Sequence, residues 1–452
     1  MKKIIALYLL LGLVFFQTSC KKFVEGYDVS PNDPLDVNVE VLLTGTEVAT
    51  FSNFTGNLAR TAALLMNQMA GRQFQYEDLA QYVIRESAID GDFQQLYNGG
   101  MVNAQELIEK AGDENKYYRG IGRILKALNL GLTTDLWGDV PNTEALKGIE
   151  GEAAFNPAYD TQENILRDIQ STLDLAIQDL ADDASNVKVP GPDDLIFGGD
   201  PVKWRNAARI LKARYYNHLS KRDGPGSAAS ALAALDAAYA DGLTNNSGDL
   251  MAQFGEAANE WNQWYAFESQ RAGYLTMNQF FVNMLAGDPR LPLYATANAN
   301  GTFDDQQPIG PFYGSLNAPL PLVTYFEARF IEAEAALRAN NKMRAAQAYN
   351  KAVTANLTKL GVADPGYLST HANEDENSIT MEKIMTQKYI AMFTQPEVWA
   401  DWRRTNLPAL TPNPDAEVAS IPRRLTTAQS ERLYNTKAIV IADLLKPVWW
   451  DE

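Results

Sequence analysis

A run of aromatic and amide side chains in the middle of the chain has the composition of a site for a polyhydroxylated ligand. The run comprises Trp261, Asn262, Gln263, Trp264 and Tyr265. Sugars present apolar ring faces and many hydroxyl groups, so their sites combine flat aromatic rings with side chains that donate or accept hydrogen bonds. Because the run supplies both components, we predict that these five residues contact a ligand.

A second segment, residues 72–76, has the same mixture of side chains. Arg72 and Gln73 offer hydrogen-bond donors, and Tyr76 offers a ring with a hydroxyl group. We predict that these three residues assist the first group in ligand binding.

The spacing of the first group also permits a different interpretation. Positions 261, 264, 265 and 268 follow the pattern i, i+3, i+4 and i+7, which places them on one face of a helix, and an aromatic helical face often packs into a core. The polar flanking residues favour a surface position instead. The sequence leaves a ligand platform and a core face as alternatives.

Residues for metal binding or for catalysis by histidine are scarce. The chain contains two histidines, His218 and His371, and one cysteine, Cys20. Zinc sites and histidine-based triads need more such residues, so we expect no metal site, no cofactor and no catalysis by these groups. We expect His218 to lie in a helix and His371 in a polar loop.

A helical glycoside hydrolase or lyase that uses two carboxylates is an alternative to a binding protein. The chain has 56 acidic residues, so a pair at the required separation of about 5–9.5 Å could arise by chance in almost any fold. The acid count therefore decides nothing. Since the sequence contains no catalytic motif, we predict that the protein is not an enzyme.

The N-terminus has the pattern of a bacterial lipoprotein signal. Lys2 and Lys3 precede an apolar run over residues 4–16, and small residues lead to Cys20. The run is shorter than the roughly 20 residues that span a membrane. We therefore predict a signal peptide over residues 1–19 and a lipidated Cys20 that anchors the mature chain, with an ordinary secretory signal as the alternative.

The charge balance excludes some partners. The chain has 39 basic and 56 acidic residues, which gives a formal net charge of −17. Nucleic acids and anionic lipid surfaces both bind proteins through basic patches, so we predict no nucleic-acid partner and no electrostatic adhesion to a membrane.

Helical periodicity dominates the rest of the chain. Apolar residues from 161 to 180 repeat at intervals of three and four, which predicts one buried stripe on a helix. The same pattern predicts helices over about 58–70, 91–110, 114–135, 201–220, 227–240, 323–339, 342–360, 379–394 and 427–444. Alternating strand patterns are nearly absent, so the fold class is mainly α.

Two helix pairs have spacings typical of tetratricopeptide units. In the first, Ala333 and Ala336 oppose Ala345, Tyr349 and Ala352 across a short turn. The second, over residues 204–238, is fainter. Small residues at these positions let two helices approach closely. An ordinary alanine-rich helical hairpin would also have small residues there, so it remains an alternative to a tetratricopeptide unit.

An irregular segment over about 242–322 interrupts this helical pattern. It is rich in glycine, proline, asparagine and aromatic residues, and long excursions of this kind often carry function. We predict a tether over residues 20–36 and one helical domain over 37–452 that supports the segment as an insertion.

Several strings together resemble the SusD/RagB family of outer-membrane lipoproteins, especially its second SusD-like branch. They extend over nearly the whole chain after the signal. The strings are LTTDLWGDVPNTEAL (132–146), WRNAARILKARYYNHLS (204–220), GDPRLPLY (287–294), FIEAEAALR (330–338), QKYIAMFTQPEVWADWRRTNLPAL (387–410), IPRRL (421–425) and VWWDE (448–452).

The resemblance implies tetratricopeptide-like hairpins that support an irregular binding region. It also implies an outer-membrane protein at the cell surface that captures oligosaccharides or other nutrients for a SusC-like TonB-dependent transporter. A purely structural tetratricopeptide scaffold is the remaining alternative, and the aromatic insertion disfavours it. Among the matching residues, we expect Trp399, Trp402, Arg403 and Arg404 to carry structure.

Overall fold

The computed structural model describes residues 37–452, so Cys20, the predicted signal peptide and the tether lie outside the described residues. The described chain is mainly helical. Its α-helices are α1 (Val39–Thr55), α2 (Asn57–Leu65), α3 (Phe74–Ala80), α4 (Glu86–Gln95), α5 (Val102–Ala111), α6 (Lys116–Trp137), α7 (Gln162–Asp179), α8 (Pro201–His218), α9 (Gly224–Ala240), α10 (Gln263–Gln270), α11 (Gln279–Met284), α12 (Leu291–Tyr294), α13 (Pro311–Gly314), α14 (Tyr325–Arg338), α15 (Lys342–Lys359), α16 (Pro365–His371), α17 (Met381–Ala391), α18 (Glu397–Thr405) and α19 (Gln429–Tyr434).

The strands are short and form antiparallel pairs. They are β1 (Met69–Gly71), β2 (Val140–Pro141), β3 (Tyr159–Asp160), β4 (Leu250–Ala252), β5 (Leu275–Met277) and β6 (Leu320–Val323). β1 pairs with β5, β2 with β3, and β4 with β6. The β1–β5 pair attaches the insertion to the body, because β5 lies within the insertion and β1 lies outside it. The β4–β6 pair brings the two ends of the insertion together.

The predicted helix pairs are confirmed. α14 packs against α15, and α8 packs against α9. Ala333 and Ala336 are fully buried, as are Ala345 and Ala352 on the opposing helix. The ring of Tyr349 is buried beside Phe330. α6 and α7 form a further hairpin, and the α8–α9 pair packs against α14 through α9, so the hairpins share one core.

Sequence cues explain the helix starts and the buried stripes. The carboxylate of Asp200 accepts hydrogen bonds from the amides of Val202 and Lys203 and caps α8, which has proline at its first position. In α7, the residues of the predicted stripe are buried: Ile165, Ile169, Leu173 and Ala176.

Three predicted helices were wrong in extent. The predicted helix over 91–110 is divided by a π-helical turn, Leu96–Met101. The predicted helix over 58–70 ends at Leu65, because the chain then turns into β1. Of the predicted helix over 427–444, six residues are helical; the rest is held by contacts such as the Thr427 hydroxyl with the Ile439 carbonyl. α1 was not predicted.

The aromatic and arginine cluster near the C-terminus carries structure, as predicted. The guanidinium of Arg403 lies 4.6 Å from the ring centroids of both Trp399 and Trp450. The indole of Trp399 donates a hydrogen bond to the Pro422 carbonyl. All these side chains are buried, and so is Arg404. The C-terminal residues are thereby fixed to α18.

None of the helices within residues 37–452 combines the length and the apolar character needed to cross a membrane.

Candidate functional site

The β1–β5 ladder brings the two predicted ligand-binding segments to the same region. Met69 pairs with Met277, and Gly71 pairs with Leu275. Just beyond the ladder, the Arg72 amide donates a 2.9 Å hydrogen bond to the Tyr274 carbonyl. Residues 72–76 therefore lie beside the C-terminal end of α10 and the turn that follows it.

Two aromatic rings stack at this junction. The ring centroids of Phe74 and Tyr274 are 4.8 Å apart with an interplanar angle of 27°. Phe74 is 64% exposed although it is a large apolar side chain. We call this pair of stacked rings the platform. It offers an accessible flat aromatic surface of the kind that stacks on apolar faces.

The backbone at Phe74 is strained. Its φ angle is +52°, in the left-handed region that residues with a Cβ rarely adopt. Such a conformation costs about 1–3 kcal/mol and persists where the surroundings impose it, most often at functional sites. The strain therefore supports a functional role for the exposed ring.

A buried layer supports the platform from below. Phe267 of α10 meets Tyr76 edge-on, with centroids 5.0 Å apart, and the guanidinium of Arg60 lies 4.6 Å from the Phe267 centroid. Arg60 also donates a 2.8 Å hydrogen bond to the Tyr76 hydroxyl, which in turn donates to Asn57. Tyr76 is 2% exposed. The structure thus places this predicted ligand-binding residue in the support of the platform, with its hydroxyl already engaged.

Arg72 and Gln73 border the platform. Arg72 makes a 2.6 Å ion pair with the Asp305 carboxylate and donates a hydrogen bond to Thr276. A hydrogen bond from Gln306, followed by the bond and charge of Arg72, lowers the pKa of Asp305 against the effect of burial. Gln73 is exposed, and its amide nitrogen lies 3.5 Å from the Gly273 carbonyl. Arg72 is therefore neutralised, and Gln73 is available to a ligand.

The predicted residues at the start of α10 divide between core and surface. Asn262 is fully buried and caps α10, because its side-chain oxygen accepts from the amides of Trp264 and Tyr265. Its amide nitrogen donates to the carbonyls of Tyr313 and Ala318. Trp264 is 2% exposed, with its ring centroid 6.2 Å from that of Phe393. For these two residues the structure favours the core alternative.

Trp261, Gln263 and Tyr265 are half-buried at the surface. The rings of Trp261 and Tyr265 meet edge-on with centroids 5.4 Å apart, and the Trp261 indole donates to the Glu256 carbonyl. The Gln263 carbonyl accepts a hydrogen bond from Arg60. Gln263 thus connects this group to the layer below the platform, while the platform itself lies at the other end of α10.

Sequence reasoning did not identify the two rings of the platform as a pair. The sequence predicts a binding segment over residues 72–76, which includes Phe74, but it does not indicate that Phe74 pairs with Tyr274. A usable signal was the turn Gly273–Tyr274 followed by the strand-like Leu275–Thr276–Met277, which indicates an edge that residues 69–71 could pair with. Nothing in the sequence indicates that Phe74 is exposed.

A second cluster of chemically active side chains lies in the core. His218 is fully buried, with Nε2 2.8 Å from Glu397 Oε1 and Nδ1 3.1 Å from Asp135 Oδ1. Burial opposes the charged imidazolium, but the charges of Asp135 and Glu397 outweigh it and raise the pKa of His218 to about 9. Arg214 Nε lies 3.9 Å from the other oxygen of Glu397.

The three side chains could hold a metal ion by their number and spacing, since their ligand atoms lie within 4.8 Å of one another. Each ring nitrogen of His218 also faces a carboxylate oxygen at hydrogen-bond distance, which is the arrangement of an imidazolium that donates two hydrogen bonds. We interpret the cluster as a buried ion-pair network in which His218 is the cation.

The position of His371 was predicted wrongly, because it is the last residue of α16 and stacks on Tyr367.

Comparison with known proteins identifies relatives over most of the chain. A protein-family model named SusD-like, described as starch-binding and associating with the outer membrane, matches residues 31–427. A search of curated protein sequences gives no match.

Solved structures share the fold. A chitin-binding SusD homolog from Flavobacterium johnsoniae has a TM-score of 0.74 at 21% identity, and the match covers 91% of this chain and 98% of that one. A SusD/RagB family protein from Bacteroides thetaiotaomicron has a TM-score of 0.72 at 21% identity, with 92% and 99% covered. A SusD homolog from Bacteroides fragilis has a TM-score of 0.71 at 22% identity, and the match covers 92% of this chain and 100% of that one. At these identities the similarity establishes the fold alone.

Proposed function

The chain belongs to the SusD-like family, described as starch-binding and associating with the outer membrane, and from this premise we propose that it captures oligosaccharides on the platform of Phe74 and Tyr274. The captured glycan is then delivered to a SusC-like TonB-dependent transporter. A lipidated Cys20 anchors the protein to the outer membrane, facing the cell exterior, and residues 37–452 act as one binding domain.

The exposed stack of Phe74 on Tyr274 carries the proposal. Phe74 is 64% exposed, stacks on a second ring and is held in a strained backbone conformation, a combination that suits a contact with a ligand. A sugar ring can cover such a surface with its apolar face, and nearby polar groups such as Gln73 can bond its hydroxyls.

We assign binding without catalysis to this site. Glycoside hydrolysis in most families needs two carboxyl groups, one acting as acid and one as base or nucleophile. Near the platform, Asp305 is paired with Arg72, and Glu268 accepts a 3.3 Å hydrogen bond from the Gly273 amide. These two carboxylates are engaged in holding local structure, which supports binding without turnover, and we expect the ligand to leave the site intact.

Binding of the parent protein and of Phe74→Ala and Tyr274→Ala to an array of neutral glycans tests the proposal. We expect the parent to retain α-glucans or chitooligosaccharides and both variants to lose at least about 1.4 kcal/mol, or tenfold, in affinity. Tyr434→Ala is the matched control, because Tyr434 is 76% exposed on α19. Unchanged glycan affinity in both platform variants would contradict the proposal, and turnover of a bound glycan would contradict the binding-only assignment.

A further inference from the structure

A groove of about 550 Å³ begins beside the platform. Gly71 and Arg72 line it, and the Arg72 amide is bonded to the Tyr274 carbonyl. Glu77, which also lines the groove, follows Phe74 by three residues on α3. The two platform rings do not line the groove themselves, but Arg72 and Glu77 on either side of Phe74 do, so the groove adjoins the platform through residues 71–77. Its volume lies within the range of about 300–1,000 Å³ that small-molecule sites occupy.

The far wall of the groove is a loop, residues 411–415, that the body holds in place. The side-chain amide of Asn67 donates a 2.9 Å hydrogen bond to the Thr411 carbonyl. The side-chain amide of Asn413 donates a 2.7 Å hydrogen bond to the Ala80 carbonyl. The backbone amide of the same residue donates to the Tyr82 hydroxyl. Two prolines in the loop further restrict its backbone. A wall fixed in advance reduces the entropy lost when a ligand binds.

The lining combines apolar surface with neutral hydrogen-bonding groups. Phe280 contributes a half-buried ring, and Gln279 beside it is exposed. Gln81 and Asn278 add further amide side chains. This is the same pairing of ring and amide that suits sugars on the platform.

The charges of the groove select against anionic ligands. Among the residues that line it, all within the described chain, Arg72 is the only cation, and Asp305 already neutralises it. Glu77 and Asp415 add two exposed carboxylates. The whole chain carries a formal charge of −17, so a polyanion would also be repelled on approach.

We infer that the platform and the groove form one continuous site for linear neutral oligosaccharides that are longer than the platform alone can hold. This inference rests on the proposed function. The platform stacks on one sugar ring, and the groove receives the next units of the same chain. Uronate-containing or sulfated oligosaccharides are excluded by the carboxylates of the groove.

Isothermal titration calorimetry with two homologous series tests the inference. The probes are maltooligosaccharides from maltose to maltoheptaose and chitooligosaccharides from chitobiose to chitohexaose. For the parent we expect affinity for at least one series to rise by about tenfold or more with chain length. Oligogalacturonates of matched length should not bind. Affinity that does not change with length, or binding of oligogalacturonates equal to that of the neutral series, overturns the inference.

Groove variants separate this inference from the proposed function. Gln279→Ala removes an exposed amide, Phe280→Ala removes the half-buried ring, and Thr411→Trp fills the groove with a large side chain. Because Gln279 and Thr411 are exposed, at least one of the three variants should keep the parent's melting temperature. We expect each folded variant to lose the dependence on chain length while its affinity for the disaccharide stays within about twofold of the parent.

Phe74→Ala should instead weaken every length alike. If it does, and the groove variants keep the full dependence on length, the groove inference is overturned and the proposed function stands. If Phe74→Ala changes nothing at any length, the proposed function fails, and the inference fails with it.

Discussion

Trp261 and Trp264 are three residues apart in the sequence, yet they lie in different environments. Trp264 is 2% exposed, with its ring centroid 6.2 Å from that of Phe393 in the core. Trp261 precedes α10 and lies half-buried at the surface, where it meets the edge of Tyr265. The two alternatives that the spacing allowed, core face and surface platform, therefore apply to different members of one group.

Alanine substitution should separate these two residues. Trp264→Ala should lower the free energy of unfolding by about 3–5 kcal/mol, because it opens a cavity in the core. Trp261→Ala should lower it by less than about 1.5 kcal/mol, since its ring is partly in water already. Urea denaturation of both variants measures the difference. Equal losses of stability would show that the two indoles are equivalent in the fold.

The helical scaffold could be predicted from the sequence because periodicity reports burial directly. α7, α8 and α15 begin and end within two residues of their predicted bounds, as expected where an apolar stripe is bounded by capping residues. The stretch over 427–444 misled the prediction, because contacts with distant residues such as Asn156 hold it in place instead of helical hydrogen bonds. Local patterns contain no information about such contacts.

The candidate site could be predicted in composition but not in geometry. Residues 72–76 and the insertion were both identified, yet the β1–β5 ladder that joins them pairs three residues with three others about two hundred positions away. Phe74 and Tyr76 both lie in α3, which follows β1, so which of their rings faces the core depends on how the ladder places this helix against the body. The Tyr76 hydroxyl meets Arg60 and Asn57 there, and these contacts between distant residues are not encoded in the local pattern.

Gly71 should tolerate no side chain. A Cβ at this position would lie 1.8 Å from the Tyr76 carbonyl oxygen, which is backbone and cannot rotate away. Gly71→Ala should therefore displace α3 from β1, destabilise the protein and weaken glycan binding at the platform. The measurements are thermal unfolding and titration with the oligosaccharide that the parent binds.

Gly91→Ala is the matched control for this substitution. Gly91 lies inside α4, is exposed, and has nothing within 4 Å of an added Cβ. Because alanine has the higher helix propensity, Gly91→Ala should raise stability by about 0.5–1 kcal/mol without altering binding. A Gly71→Ala variant that behaves like this control would contradict the steric argument.

The buried His218 should make stability depend on pH in the alkaline range. Its pKa is raised from 6.5 to about 9 by Asp135 and Glu397, against burial. A group whose pKa is raised on folding stabilises the folded state fully at pH values below its pKa in the unfolded chain. This stabilisation is lost as the pH rises through the pKa that the group has in the folded protein. The free energy of unfolding should thus fall between pH 6.5 and about 9, by a few kcal/mol at most.

The two histidines of the chain provide the control for this pH dependence. His218→Gln should remove the decline and lower stability at neutral pH, because Asp135 and Glu397 remain buried without the imidazolium that lies between them. His371→Gln, at an exposed position, should keep the decline. Urea denaturation at intervals from pH 6.5 to pH 9 measures both. A parent whose stability does not change across that range would show that His218 is not the cation of the network.

Cys20 should be the site of lipid attachment, because it is the only cysteine of the chain and follows a short apolar run that small residues terminate. Cys20→Ala should release the protein into the soluble fraction and abolish labelling by an alkynyl fatty acid, whereas Lys21→Ala should retain both the label and membrane association. Fractionation in cells without a partner transporter makes the test specific, since a bound partner could also retain the variant at the membrane. Membrane association of Cys20→Ala that still requires detergent for release in such cells would refute lipid anchoring through this residue.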